Sequence, residues 1–205
     1  MLWMFAVIAL LTTLVARPQI GHTEPVLWDV SGHYYERVDT ADPLTWYAAR
    51  DAAASMSYLG MVGHLATITS QAENNFIISA LGDEFALRAH YLGGFQPPGS
   101  LEPAGGWEWV TGEPWAFNKF LDGEPNNSYI DLSQEDALMF HGTGSDRWND
   151  FPINLAEIPF NFTIASPGYV VEYEATPVPE PSTLLLFGSG LAGLGGIAWR
   201  RYRRG

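Results

Sequence analysis

The last part of the chain is an apolar segment, so a globular fold has to form from the middle of the chain. Leu184–Trp199 comprises 16 uncharged residues, and four arginines follow within residues 200–204. As a helix this segment is about 24 Å long, which is most of the roughly 30 Å hydrocarbon core of a bilayer. Arginines at one end of such a helix keep that end in the cytoplasm. We therefore predict a transmembrane helix at residues 183–205, with the preceding chain outside the membrane.

The first residues also predict export. Met1–Ala16 contains no charged side chain and is apolar along almost its whole length. Such a segment at the start of a chain is typical of a secretory signal peptide, and we predict one at residues 1–22. A retained anchor helix is the alternative. One globular domain is then expected at residues 31–175, joined to the C-terminal helix by a proline-rich linker at residues 176–182.

Composition limits the classes of function. Cysteine is absent, so an exported domain has to be held by its apolar core or by a metal ion. Aromatic residues make up 14% of the chain, which is too many for a disordered segment. Residues 18–180 contain all 23 acidic residues and five basic residues, which gives this part of the chain a net charge of −18. This charge opposes binding to nucleic acid or to anionic membrane surfaces, and it is compatible with cation binding or simply with a soluble surface.

The first part of the domain predicts one strand and two helices. His33–Val38 is rich in residues that favour strands. The next helix has an apolar face from Trp46 to Met56, and we expect it to begin after Thr45 or after Asp42-Pro43 and to end at Gly60. The second helix begins at the capping box Ser70–Glu73 and ends at Gly82.

The pattern changes after Tyr91. Short aromatic runs such as Trp107–Val110 alternate with Gly and Pro. This pattern predicts short strands joined by long loops up to about Phe160, with a last strand at Tyr169–Tyr173. Long irregular loops in a compact domain are often functional.

The order of these elements resembles the C-type lectin-like family. The resemblance is carried by Trp46 with Ala49, His64–Ile68 with Ser70 and Glu73, Tyr91–Gly94, Gly106–Gly112, Gly123–Asn126, Glu135-Asp136, Trp148–Asp150 and Val171–Tyr173. It implies an α+β fold with two helices, short antiparallel sheets and a long loop region. The cysteines of that family are replaced here, with Ala137, Val171 and an alanine near Ala53 in their places.

The resemblance also implies a calcium site in the loop region. Its ligands would be Glu124, Asn126, Glu135, Asn149 and Asp150. Carboxylate and amide oxygens are the donors that Ca²⁺ prefers. The Glu-Pro bond of the family is cis, so we expect a cis Glu124-Pro125 bond that turns Glu124 and Asn126 to the same side. The stretch before Glu135 is longer than in mannose-binding members of the family, so Asp131 is a competing ligand.

Sugar binding is implied at the same residues. In the family, calcium accepts two vicinal sugar hydroxyls, and each hydroxyl also needs a donor and an acceptor. The resemblance gives this carbohydrate-binding role to Glu124, Asn126, Glu135 and Asn149, and the Glu-Pro-Asn sequence implies ligands of the mannose type. A second calcium site, found in some members, is not expected. Asn127 stands where an acid would help, and residues 96–100 contain no acid.

The resemblance therefore implies a binding protein without catalytic activity, whose partner is a glycan or an extracellular polysaccharide. One alternative is a structural or adhesive protein of a matrix or biofilm that uses the same fold for protein contacts. A less favoured alternative is a glycan hydrolase, for which two carboxylates would have to face each other across a cleft.

The tail contains a motif of its own. Val178 is followed by Pro179, Glu180 and Pro181, and then by the apolar segment and the arginines. This arrangement resembles the PEP-CTERM sorting signal. The resemblance implies processing by an exosortase-type protease after transient anchoring in the inner membrane. The mature protein would then lie in the bacterial cell envelope or outside the cell. A plain C-terminal membrane anchor is the alternative.

Overall fold

The computed structural model describes residues 21–42, 44–82, 87, 89–128, 134–141, 146–154 and 168–174. The linker, the sorting motif, the predicted C-terminal helix and residues 1–20 lie outside this part of the chain. Within it, no helix has the length and hydropathy needed to cross a membrane. Strands at residues 21–22 and 26–28 already pair with the domain, ahead of the predicted start at residue 31.

The first helix, α1 (Trp46–Ser55), forms where the sequence predicts it. Thr45 is its N-cap, and the Thr45 hydroxyl accepts a main-chain N–H of the first turn at 3.1 Å. The buried face consists of Trp46, Ala49 and Ala53. The predicted end at Gly60 is wrong, because the helix stops at Ser55. Leu59 and Gly60 instead form the turn of a hairpin, where both have positive φ.

The second helix, α2 (Gln71–Leu81), begins at the predicted cap and ends before Gly82. Ser70 Oγ accepts the Glu73 N–H at 3.2 Å, which is one half of a capping box. The other half differs, because the Glu73 carboxylate accepts the N–H of Thr69 at 2.7 Å. Glu73 is buried, so this carboxylate contributes to the interior of the domain as well as to the helix start.

Ten strands lie in the described residues, and they form one mixed sheet. They are β1 (Gly21–His22), β2 (Val26–Trp28), β3 (His33–Asp39), β4 (Ser57–Tyr58), β5 (Met61–Leu65), β6 (His90–Phe95), β7 (Glu108–Trp109), β8 (Ala137–Phe140), β9 (Trp148–Phe151) and β10 (Gly168–Glu174). The main order is β1-β3-β10-β6-β8-β9. β2 lies beside β3, β7 beside β6, and the β4–β5 hairpin beside β10. The predicted first and last strands are confirmed as β3 and β10.

The last strand, β10, lies in the interior of the sheet. It pairs antiparallel with β3 and β5 and parallel with β6. Alternate side chains of a strand point to opposite faces. Accordingly, Tyr169, Val171 and Tyr173 join the apolar cluster that contains the buried face of α1. Val170 joins the cluster that contains Ile77 of α2. The two helices therefore pack on opposite faces of the sheet.

Apolar side chains occupy the positions at which the family resemblance implies cysteines. Ala137 on β8 and Val171 on β10 are both fully buried. They lie in the same apolar cluster as Ala53 of α1. Core packing therefore replaces the covalent links at these positions, as expected for a domain without cysteine.

A buried polar network joins α2 to the sheet. The Tyr35 hydroxyl on β3 lies 2.6 Å from Glu73 Oε1 and 3.0 Å from Glu172 Oε1 on β10. Glu172 Oε2 accepts the Thr67 N–H at 2.9 Å, and His33 Nδ1 lies 2.6 Å from Glu172 Oε1. Burial raises the pKa of the Glu73 carboxyl, and the hydrogen bond to Glu172 raises the pKa of His33. Tyr35 thus supplies one hydroxyl donor to two buried carboxylates.

We expect Tyr35→Phe to lower the free energy of unfolding by about 1–3 kcal/mol, because it removes a donor from buried acceptors. Urea unfolding of the full chain measures this change. The matched control is Tyr34→Phe, since the Tyr34 ring packs edge-on against Tyr58 and takes no part in the network. An equal loss of stability in the two variants would contradict the assigned role of Tyr35.

Candidate metal centre

Strand β9 carries two of the predicted ligands, Asn149 and Asp150, directly after a buried tryptophan. Trp148 is fully buried, and its Nε1 donates to Asn74 Oδ1 on α2 at 2.9 Å. β9 also pairs antiparallel with β8 along its whole length. Trp148 is therefore a core residue that fixes the start of the strand, and Asn149 and Asp150 are held in register behind it.

The Glu-Pro-Asn turn folds onto Asp150. The Glu124-Pro125 peptide bond is cis, which confirms the expectation. Asp150 Oδ2 accepts the N–H of Asn126 at 3.0 Å and the N–H of Asn127 at 2.7 Å. Hydrogen bonds to a charged carboxylate are stronger than those between neutral groups. One buried side chain therefore holds the main chain of the turn.

Glu135 reaches the same turn. Its Oε2 accepts the Ser128 N–H at 2.8 Å, and its own N–H donates to Asn127 Oδ1 at 2.8 Å. The longer stretch before Glu135 does not keep this side chain away from the turn. Asp131, the competing ligand, lies outside the described residues.

The structure thus brings all five predicted ligands together around Asp150, and three of them present oxygens without a donor. Glu124 Oε2, Asn149 Oδ1 and Asp150 Oδ1 are buried and accept no hydrogen bond. Glu124 and Asp150 lie against each other, and two carboxylates can share a hydrogen bond only if one is protonated. Unpaired buried acceptors are rare in folded proteins. Carboxylate and amide oxygens are the donors that Ca²⁺ prefers, so this set fits the ion by its chemistry.

Burial raises the pKa values of all three carboxyls, and the neighbouring Asp150 adds to the rise at Glu124 and Glu135. Burial is the main cause at Glu124, where the neighbouring Asp150 helps to raise the pKa to about 7. Burial and the charge of Asp150 also raise the pKa of Glu135 to about 7. Burial raises the pKa of Asp150 as well. Among the described residues, no lysine or arginine contributes to the pKa shifts of these three carboxyls. The cluster therefore favours binding of a proton or a cation.

The carboxylates alone do not make a metal site. In the described part of the chain, no three His, Cys, Asp or Glu side chains are arranged to hold a metal ion. An ion at this turn therefore needs the amide oxygens of Asn126 and Asn149 in addition to the acids. The Asn149 amide Nδ2 donates to the Asp150 carbonyl at 2.7 Å, which leaves Asn149 Oδ1 as the unpaired atom.

A pair of acids that the sequence analysis did not single out lies beside this site. The Glu102 and Asp136 side chains hydrogen-bond to each other, and burial raises the pKa of both. Glu102 Oε2 and Gln96 Oε1 are buried without a donor. The charge of Asp150 also acts on Glu102. Residues 96–100 contain no acid, and no sequence spacing indicates that Glu102, just beyond them, returns to this region.

A family model described as the PEP-CTERM protein-sorting motif matches residues 177–204. Halomucin of Haloquadratum walsbyi is 36% identical over 155 residues, which are 69% of this chain and 1% of Halomucin. Human C-type lectin domain family 10 member A is 28% identical over 127 residues, 54% of this chain and 36% of that protein. The chain therefore spans only a small part of the length of these two relatives.

Among solved structures, the crystal structure of the C-type lectin CEL-I from Cucumaria echinata is similar to this fold. Its TM-score is 0.50 at 22% identity, and the match covers 73% of this chain and 96% of CEL-I. This similarity confirms the predicted fold class, with two helices and a mixed sheet. The sorting motif indicates an exported protein. The chain thus has a C-type lectin-like fold and, at residues 177–204, a match to the PEP-CTERM protein-sorting motif.

Proposed function

We propose that the chain is an exported, calcium-dependent carbohydrate-binding protein that prefers glycans of the mannose type. The observation that carries this proposal is the group of buried oxygens without donors, Glu124 Oε2, Asn149 Oδ1 and Asp150 Oδ1. An unsatisfied buried polar group costs about 1–3 kcal/mol. A cation that accepts these oxygens as ligands would remove that cost and offset the repulsion among the acids.

The residues proposed to hold Ca²⁺ are Glu124, Asn126, Glu135, Asn149 and Asp150. The bound ion would supply coordination positions for sugar hydroxyls. The protein itself orients the ligands. Asp150 uses Oδ2 to hold the turn and leaves Oδ1 for the ion, and Glu135 holds the far end of the turn through Ser128. These contacts fix the main chain of the turn, so an ion bound there would have less of the chain to order, which favours affinity.

Four of these residues are also proposed to contact the sugar. Glu124 and Glu135 accept hydrogen bonds from hydroxyls, and the amides of Asn126 and Asn149 donate to them. The Asn126 side chain is exposed, and it hydrogen-bonds to the Glu124 carboxylate. The Asn149 amide has to leave the Asp150 carbonyl, to which it donates at 2.7 Å. The acceptor-then-donor order of Glu124 and Asn126 is the feature that supports mannose-type rather than galactose-type ligands.

The sorting motif extends the proposal to location and partners. Pro179, Glu180 and Pro181 lie in the segment matched by the sorting motif. An exosortase-type protease is the proposed processing partner, and the cell envelope or its surroundings the proposed location. An extracellular polysaccharide is then the glycan that the protein would meet there.

Calcium is expected to stabilise the folded protein. A ligand at about 100 times its Kd that binds only the folded state adds about 2.7 kcal/mol. This corresponds to a rise in Tm of roughly 5–11 °C. Glu124→Gln should abolish the rise, because it replaces a charged ligand that lies against Asp150. Thermal melting of the full chain in calcium and in chelator measures the effect.

The control for this experiment is Glu24→Gln, a change of the same chemistry at an exposed residue distant in sequence from the turn. It should keep the full rise in Tm. If the unmodified chain shows no rise at millimolar calcium, the calcium mechanism is excluded, and a structural or adhesive role for the fold is favoured instead.

The calcium effect should depend on pH in a defined direction. The pKa values of Glu124 and Glu135, raised to about 7, mean that the calcium-free fold keeps protons that the unfolded chain releases near pH 4.5. The stability from these protons is present below pH 4.5 and is lost as the pH rises through about 7. Calcium needs both groups charged, so the apparent calcium affinity should fall at least about ten-fold from pH 7.5 to pH 5.5.

Isothermal titration of calcium at the two pH values measures this change in affinity. Glu24→Gln should show the same fall as the unmodified chain. A calcium affinity that is equal at pH 5.5 and 7.5 would show that Glu124 and Glu135 do not bind the ion.

A further inference from the structure

Two histidines and one glutamate meet at the end of β10, away from the candidate calcium site. Glu174 is the last residue of β10, and His33 and His64 lie on β3 and β5, the two strands that pair antiparallel with it. His33 Nε2 is 3.9 Å from Glu174 Oε2, and His64 Nε2 is 3.6 Å from Glu174 Oε1. These residues are distant in sequence, so the strand pairing alone brings both rings to one carboxylate.

The hydrogen bonds of both rings leave Nε2 as the atom that faces Glu174. His33 Nδ1 lies 2.6 Å from Glu172 Oε1, and His64 Nδ1 lies 3.0 Å from the Leu65 carbonyl oxygen. Both partners only accept hydrogen bonds, so each Nδ1 carries the proton. A neutral imidazole that donates from Nδ1 has a lone pair at Nε2. Histidines that bind metal ions are oriented in the same way, by a carboxylate or a backbone carbonyl at the other ring nitrogen.

Acceptor atoms therefore face acceptor atoms in this cluster. An ionised carboxylate only accepts hydrogen bonds, and so does the lone pair at Nε2. At 3.6 and 3.9 Å, neither contact with Glu174 is a hydrogen bond. His64 Nε2 is moreover buried without a hydrogen-bond partner, which is rare for a buried polar atom. A cation between the three side chains would satisfy all of these atoms.

The spacing and the ligand types suit a small transition-metal ion. Neighbouring ligand atoms of a tetrahedral zinc site, with bonds of about 2.0–2.2 Å, lie about 3.3–3.5 Å apart. The two distances to Glu174 exceed this spacing by about 0.1–0.6 Å. Imidazole nitrogen suits zinc, copper or nickel, whereas calcium prefers oxygen ligands.

The site has to close around the ion. Among the residues that the structure describes, no group of three His, Cys, Asp or Glu side chains is already arranged to hold a metal ion. The side chains of His33 and Glu174 are 31% and 38% exposed, so both have room to rotate. A movement of a few tenths of an ångström brings the distances to Glu174 within the spacing of a metal site.

We propose that His33, His64 and Glu174 bind a divalent transition-metal ion such as Zn²⁺, with water completing the coordination. The ion would join β3, β5 and β10 at the end of β10, three residues before the segment matched by the sorting motif. In a chain without cysteine, such a link would serve where many exported domains have a disulfide. The inference goes beyond the proposed function and does not depend on it, because no candidate calcium ligand belongs to this cluster.

Isothermal titration of the full chain with zinc chloride tests the proposal. Calcium is present in large excess, so that zinc has to compete for the candidate calcium site. One zinc ion should bind per chain with a Kd of about 10 µM or tighter. His64→Gln removes one ligand nitrogen and should weaken zinc binding about ten-fold or more. Glu174→Gln should weaken it as well, and this half-exposed position keeps the test decisive if His64→Gln impairs folding.

His22→Gln is the matched control. His22 Nδ1 lies 2.6 Å from Glu36 Oε1, as His33 Nδ1 lies from Glu172, but His22 is opposite Val38 at the other end of β3. This variant should bind zinc as tightly as the unmodified chain. The absence of zinc binding, or equal zinc affinity in His64→Gln, Glu174→Gln and the unmodified chain, would overturn the inference. Zinc binding that is lost in Glu124→Gln and kept in His64→Gln would place the ion at the Glu-Pro-Asn turn and would overturn it too.

Discussion

The pairing of β10 with three other strands is the constraint on which the rest of the domain depends. β3 and β5 run antiparallel to it and β6 runs parallel, so it links the two halves of the sheet. Because its side chains alternate between two apolar clusters, it also positions both helices. Glu172, in the middle of β10, extends this role to the polar network through Tyr35. In a chain without cysteine, this one strand combines the contacts that hold the sheet and the helices together.

The loop site is an extension of the same core. Asn74 of α2 accepts a hydrogen bond from Trp148, which fixes the start of β9. Two residues later, Asp150 accepts two main-chain N–H groups from the Glu-Pro-Asn turn. Contacts thus lead from α2 through β9 to the Asp150 carboxylate, and together they fix the position of the turn. A ligand of such a turn does not have to order a flexible segment, so less of its binding energy is lost as entropy.

Sequence predicted the elements that local rules determine. The start of α2 was predicted correctly because Ser70 acts on its own first turn, and Thr45 is the one of the two predicted starts of α1 that caps the helix. Gly60 was misassigned because a glycine that ends a helix and one in a hairpin turn share a left-handed backbone. Only the pairing of β4 with β5 distinguishes them. The need for glycine at position 93 could not be predicted either, because it comes from a contact between distant segments. A Cβ there would lie 2.7 Å from the Leu65 carbonyl oxygen. At the candidate site, motif order predicted five ligands, whose role stays a proposal, whereas Glu102 enters through a loop whose length follows no spacing rule.

The strand order also separates the attachment point of the tail from the proposed binding face. The described chain ends at Glu174 of β10, and the sorting motif begins three residues later, at residue 177. Asn149 and Asp150 lie on β9, which β6 and β8 separate from β10 in the main order of the sheet. Three spacings of about 4.8 Å place the two strands about 14 Å apart. Asp150 and the turn it holds are thus on a different part of the sheet from the strand that leads to the tail. An anchor in the segment matched by the sorting motif would therefore act on β10 first and on the loop site only through the intervening strands.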